Sequence, residues 1–197
     1  MENRHFIYDD LLEDPHLLGY LKAKGKKTVY PSGKNFLRQG ESSPSFYLLD
    51  GGVVEMSAVN AEGNKKIFAI YTGRALLGTL CADGQKSPIS YRCLQSAELY
   101  CLRFDQLPLL DADVLIALIK YVTAETLILQ NQLRLSSASD SVDGVKKILE
   151  EYHRVMSESE CINAFLTQQM IGEMLGKTPT QIKNVLKKIG QSNLREG

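Results

Sequence analysis

Between Thr167 and Ile189 the chain carries side chains that can hold phosphates and read base edges, spaced for the exposed side of a helix. If a helix begins near Thr178, its first turn presents Pro179, Thr180 and Gln181, and Lys183 and Asn184 follow on the next exposed turn. Gln181 or Asn184 suits adenine at N6 and N7, and Thr180 suits a thymine methyl. Lys177, Lys187, Lys188 and Gln168 suit phosphate oxygens, as does Thr167 at the start of the preceding helix. The whole chain is neutral, with 23 basic and 23 acidic residues, so no global positive field advertises nucleic acid. From Gly176 onward, however, five cations face one anion, a local net charge of +4. A merely solvated helix face is the alternative reading of the same lysines.

Two short amphipathic helices broken by Gly176 must position these groups. Counting Gln168 as the first position puts Gly172 where the helices cross and Gly176 at the tight turn. Ile171, Leu175, Ile182, Val185, Leu186 and Ile189 then share one buried side. Thr178 caps the second helix, and Pro179 takes its first position, where a missing N–H costs nothing. The pattern is that of a helix-turn-helix, whose second helix fits the major groove of duplex DNA.

The 197 residues ahead of and around this motif suffice for one large or two smaller units, and the pattern favours two. Up to about Phe104 the chain reads as short strands between turns: Thr28–Tyr30, Asn35–Arg38, Phe46–Leu49, Val53–Met56, Lys66–Tyr71, Ser90–Leu94 and Glu98–Leu102. Strands this short, separated by glycine turns, indicate a barrel or double sheet. From Asp111 to about Leu135 the period changes to 3.6, and Leu115, Leu118, Val122, Leu129 and Leu133 form an apolar stripe, widened by Val114, Tyr121 and Ile128. Such a helix is ~37 Å long, more than a small barrel covers. Its surplus face suits a second copy of the chain in a twofold dimer, or packing wholly within the monomer. Ser136–Ser141 reads as a hinge, and Val142–Met156 as a helix burying Val145, Ile148, Leu149, Tyr152 and Val155. The expected class is α+β: residues 1–110 a strand unit of barrel or double-sheet type, 111–136 a long helix suited to dimerisation, 137–197 a helix-turn-helix unit.

Several classes are disfavoured. Cys81, Cys93, Cys101 and Cys161 lack the spacing of a zinc or iron–sulfur site and read as reduced thiols. The first residues lack the apolar run of a signal peptide, and no stretch approaches the ~20 apolar residues of a membrane span, so a cytoplasmic protein is expected. His5, His16 and His153 fall outside the barrel strands, unlike the metal-holding histidines of cupin-type enzymes, and neither a P-loop nor a Gly-x-Ser-x-Gly or His-Glu-x-x-His motif occurs. No catalytic residues, metal site or cofactor are expected.

The order of β-roll, long helix, hinge and terminal helix-turn-helix resembles the catabolite-activator/Fnr (Crp-Fnr) superfamily of bacterial transcription regulators. The resemblance covers most of the chain and rests on Pro31-Ser32-Gly33, Arg38–Glu41, Phe46–Gly51, Gly63, Gly73, Gly78 and Leu166–Ile189. It implies a cyclic-nucleotide-binding-like roll, with Gly73–Leu94 as the effector segment. Leu77, Gly78, Thr79, Cys81, Ser87 and Arg92 are the candidate pocket residues. It further implies a homodimer whose recognition helices enter successive major grooves ~34 Å apart, with double-stranded DNA and RNA polymerase as partners.

Departures from the family pattern limit what carries over. Thr79 stands where the founding members have a glutamate, and Ser87-Pro88 where they have an Arg-Ser pair. Without that arginine the strongest charge-assisted contact to a phosphate is lost, so cyclic AMP is not the expected effector. Arg74 and Arg92 are alternative anion ligands, with a surface role for Arg74 and a strand-edge role for Arg92 as the competing readings. Cys81 is either a thiol sensor or a core side chain. Pro179, Thr180 and Asn184 replace arginine, glutamate and arginine of well-studied relatives, so their target sequence does not transfer. The chain also ends soon after Leu194, where a wing hairpin is expected. The reading is a DNA-binding regulator responding to an unidentified signal; the alternative is a sensing or scaffolding protein whose helix-turn-helix contacts protein.

Overall fold

Nine strands and five α-helices make up a computed structural model that describes residues 5–82, 84–109, 111–138, 141–158 and 162–190, with backbone alone at 108–109, 128–129 and 131–138. The strands are β1 (Ile7–Tyr8), β2 (Lys26–Tyr30), β3 (Asn35–Leu37), β4 (Ser45–Gly51), β5 (Val54–Val59), β6 (Lys65–Tyr71), β7 (Ala75–Leu77), β8 (Ser90–Cys93) and β9 (Ala97–Arg103). They form two sheets, in the orders β1-β6-β5-β8-β3 and β2-β9-β4-β7. All pairings are antiparallel except β1 with β6. Between the sheets, Leu49, Val54, Leu77, Tyr91, Cys93 and Leu99 belong to one buried cluster, as the period of two requires.

Helix α1 (Pro15–Lys24) interrupts what the sequence presented as an all-strand region. Asp14 caps it, its Oδ1 accepting from the His16 and Leu17 N–H groups at 2.9 Å each, and Pro15 opens the first turn. Leu17 and Leu21 are its buried residues, and they pack with Phe46, Leu48 and Leu102 of the roll.

Helix α2 (Ala112–Ala138) is 27 residues long. Its buried side is Val114, Tyr121 and Glu125, with Leu118 and Val122 packed at the edge of the same cluster. The described residues of the expected dimer seam lie beside this buried side. Leu115, Leu118 and Val122 are half-buried, and the open apolar face lies further round the helix at Ile116, Ile119 and Leu127, each at least half exposed. The sequence stripe marked the boundary between two apolar faces, because α1 and the roll take the inner one. The side chains of Leu129, Leu133 and Ile128 lie outside the described residues. The expected hinge is also shorter, since Ser136, Ser137 and Ala138 continue α2; small residues prolong a helix at little cost.

Helix α3 (Ser141–Glu158) buries Val145, Ile148, Leu149, Tyr152 and Val155, the spacing read from the sequence. With α4 (Gln168–Leu175) and α5 (Pro179–Lys188) it shares a single apolar cluster with Phe6, Ile7, Val53, Ile67 and Ile70 of the roll. Met1–Arg4, Ser139, Asp140, Cys161 and the stretch from Gln191 through Arg195 to the end lie outside the described residues.

Candidate nucleic-acid interface

Helix α4 begins at Thr167, whose Oγ1 accepts from the Met170 N–H at 3.2 Å. It ends at Gly176, which adopts the left-handed conformation at φ +65° and ψ 37°. A Cβ on Gly172 would stand 2.6 Å from the Lys177 carbonyl oxygen, so only glycine permits this approach of helix and turn. The turn returns the chain at the angle set by Ile182, Val185 and Leu186, which pack against Ile171 and Met174.

Helix α5 opens with a capping box. The Gln181 N–H donates to Thr178 Oγ1 at 3.3 Å, and Gln181 Oε1 accepts from the Thr178 N–H at 2.9 Å. The Gln181 side-chain carbonyl oxygen is thus engaged with its own helix, which leaves the amide NH₂ as the donor end of this side chain. Thr178, Pro179, Thr180, Gln181, Lys183, Asn184, Lys187 and Lys188 are exposed or nearly so, and Lys177 and Thr167 are half-buried. Thr180, Lys183, Asn184 and Lys187 fall at i, i+3, i+4 and i+7, one stripe opposite Ile182, Val185 and Leu186. Gln168 departs from the expected set. It is only 6% exposed, since the first turn of α4 turns it into the protein instead of toward a phosphate.

In Gly73–Leu94, the segment expected to hold the effector, the candidate residues fall in different settings. Leu77 and Cys81 are fully buried, Gly78 is left-handed at φ +81°, and Thr79–Cys81 forms a 3₁₀ turn. Burial suits the reading of Cys81 as a core side chain. Ser87 is 2% exposed, and its hydroxyl donates to the Ile89 carbonyl at 2.7 Å, folded onto its own loop. Arg92 is exposed: strand alternation sends Tyr91 and Cys93 inward and Arg92 out, which corrects its assignment to the pocket. Arg74 pairs at the surface with Asp10 at 2.9 Å.

Residues that the sequence reading passed over now line the interior. Tyr91 stacks on Phe36 at 5.7 Å between ring centroids, and Phe36 meets Tyr47 edge-on at 4.9 Å. Glu125 reaches Tyr71 Oη at 3.1 Å from α2. A lone acid four residues after buried Tyr121, on the inner side of a helix, was the available signal.

No family model and no curated protein matches this sequence. Solved structures do resemble the fold. The regulator CLP of Xanthomonas campestris, described as responsive to c-di-GMP, aligns with a TM-score of 0.75 at 15% identity, over 93% of this chain and all of that one. FixK2 of Bradyrhizobium japonicum aligns at 0.71 with 15% identity, over 84% of each chain. A CRP/FNR-family transcriptional regulator of Thermus thermophilus aligns at 0.67 with 17% identity, over 87% of this chain and 90% of its own. The first of these is described as a global regulator and the third as a transcriptional regulator. No described helix is long and apolar enough to cross a membrane. The double-sheet roll, long helix and terminal helix-turn-helix are together the fold of the Crp/Fnr-family transcription regulators.

Proposed function

We propose that the chain is a DNA-binding transcriptional regulator that acts as a homodimer, its α5 helices reading the two halves of a pseudo-palindromic site. The observation that carries this reading is the exposed stripe of Thr180, Lys183, Asn184 and Lys187 on a capped helix held rigidly behind a glycine turn. Lysines at the stripe's edge and at Lys177 and Lys188 hold phosphates and make binding salt-dependent. Asn184 and Thr180 read bases, and the Gln181 amide donates to an acceptor on a base edge. The dimer forms through Ile116, Ile119 and Leu127, flanked by Leu115 and Val122.

The signal enters through the roll. The c-di-GMP response of the Xanthomonas neighbour is not carried over, because the identity is too low to transfer a ligand. Cyclic AMP is disfavoured, since among the described residues no arginine is buried to pair with its phosphate.

The test is capture of genomic DNA fragments by the full chain. Lys183→Ala with Asn184→Ala is expected to remove sequence-selective capture, leave the dimer intact and lower residual affinity by about tenfold or more. Unchanged selectivity would overturn the assignment of α5 as the reading helix.

A further inference from the structure

Where α2 packs on the roll, Glu125 is 8% exposed in a wall of phenols. Its Oε1 accepts from Tyr71 Oη at 3.1 Å, and Tyr71 Oη also lies 3.6 Å from Met56 Sδ. The titratable groups facing it are Tyr8 from β1, Tyr71 from β6, Tyr91 from β8 and Tyr121 from its own helix, with Cys81 behind Tyr91. Among the described residues no cation faces it. The same turn of α2 is tied to the effector segment, because Tyr121 Oη accepts from the Leu76 N–H at 2.9 Å, two residues before Gly78.

We propose that Glu125, with Tyr71, forms a proton-binding site that couples acidity to the seating of α2 on the roll. Neutral, the carboxyl sits in this setting at little cost. Ionised, it places an unpaired charge among apolar and phenolic groups, and α2 must shift or admit water to solvate it. Burial pushes the carboxyl up from 4.5 to about 7, against the pull of the Tyr71 hydrogen bond. Burial and the Glu125 charge push all four phenols upward, so none of them competes for the proton near neutrality. The seated form gains most at acid pH, and the gain is lost as pH rises from the ordinary glutamate range through about 7.

The consequence for DNA rests on the regulator reading above, but the site itself does not. The full chain, Glu125→Gln and Tyr71→Phe are compared by carboxyl NMR titration and by hydrogen exchange corrected for intrinsic rates. In the wild type the Glu125 carboxyl is expected to titrate near 7, and Leu76 amide protection to fall by about tenfold between about pH 5 and about pH 8. Glu125→Gln keeps an acceptor for Tyr71 and the same volume, and its protection is expected to be flat. Tyr71→Phe removes a bond that favours the charged form, and is expected to raise the midpoint further. A carboxyl titrating in the ordinary glutamate range, or an equal loss of protection in Glu125→Gln, overturns the proposal. If the joint titrates as expected and no selective DNA capture occurs at any pH, the regulator reading fails and the proton site stands.

Discussion

At the scale of single residues, Gly172 decides whether the two helices of the motif can meet. Its missing Cβ leaves room for the Lys177 carbonyl, a backbone atom that cannot swing aside like the tip of a side chain. Gly172→Ala is therefore expected to push α5 away from α4 and to cost about 1–3 kcal/mol, as overpacked sites do. Urea denaturation measures the loss, and selective DNA capture is expected to fall more steeply than stability. A variant that is as stable as the wild type and captures DNA as well would show that the approach is looser than the geometry indicates. Glycine and threonine at these positions were legible in the sequence, because cap and turn chemistry is local. Gln168 and Arg92 were not: whether a polar side chain faces inward depends on neighbours far away along the chain.

At the scale of elements, α2 shows how a helical period reveals the presence of a face but not its partner. Leu115, Leu118 and Val122 are apolar at the right spacing, yet Leu118 and Val122 pack beside Val114 and Tyr121 on α1 and the roll. Ile119 is 64% exposed on the neighbouring face. The two positions therefore separate by substitution. Ile119→Glu is expected to dissociate the proposed dimer and leave the monomer's melting unchanged, because a charge there meets water in the monomer and would meet an apolar seam in the dimer. Leu118→Glu is expected to lower the melting temperature of the monomer itself. Light scattering and thermal denaturation distinguish the two, and a stable Ile119→Glu dimer rules out this face. Seven strands and the four helices from α2 onward were legible because each is long enough to express its period or is bounded by clear turns. Helix α1 has only two fully buried positions in ten residues, and β1 and β7 have two and three residues, too short for any period to appear. For α1 the signal was the cap, Asp14 followed by Pro15.

At the scale of the whole molecule, the helix-turn-helix unit is fastened to the roll by polar ties around their shared apolar cluster. Lys66 Nζ donates to the Met174 carbonyl at the end of α4, and Lys65 bridges Glu55 at 2.8 Å and Glu173 at 3.1 Å. Gln95 and Asn163 exchange two hydrogen bonds. Arg154 of α3 grips Asp9 with two nitrogens at 2.7 and 3.1 Å. The deepest tie is Glu151, whose carboxylate receives the N–H groups of His5, Phe6 and Ile7, the last two at 2.9 Å. Burial pushes this carboxyl upward, while those three donors and Arg154 pull it down. The sequence showed only an acid within an amphipathic helix; its partners lie some 145 positions away. Because β1 is itself paired to β6 through the Ile70 N–H and the Phe6 carbonyl at 2.8 Å, Glu151 binds α3 to the roll by way of the N-terminal strand. Glu151→Ala leaves three backbone donors without an acceptor, two of them buried. It is expected to cost about 3 kcal/mol or more. Glu151→Gln, which keeps one acceptor oxygen, is expected to cost less. Hydrogen exchange at Phe6, Ile7 and Ile70 locates the effect: in Glu151→Ala protection there falls before that of β4 and β9, whose pairing does not involve α3. If the whole roll loses protection together, the strand and α3 are part of one cooperative core, and no separate joint opens between them.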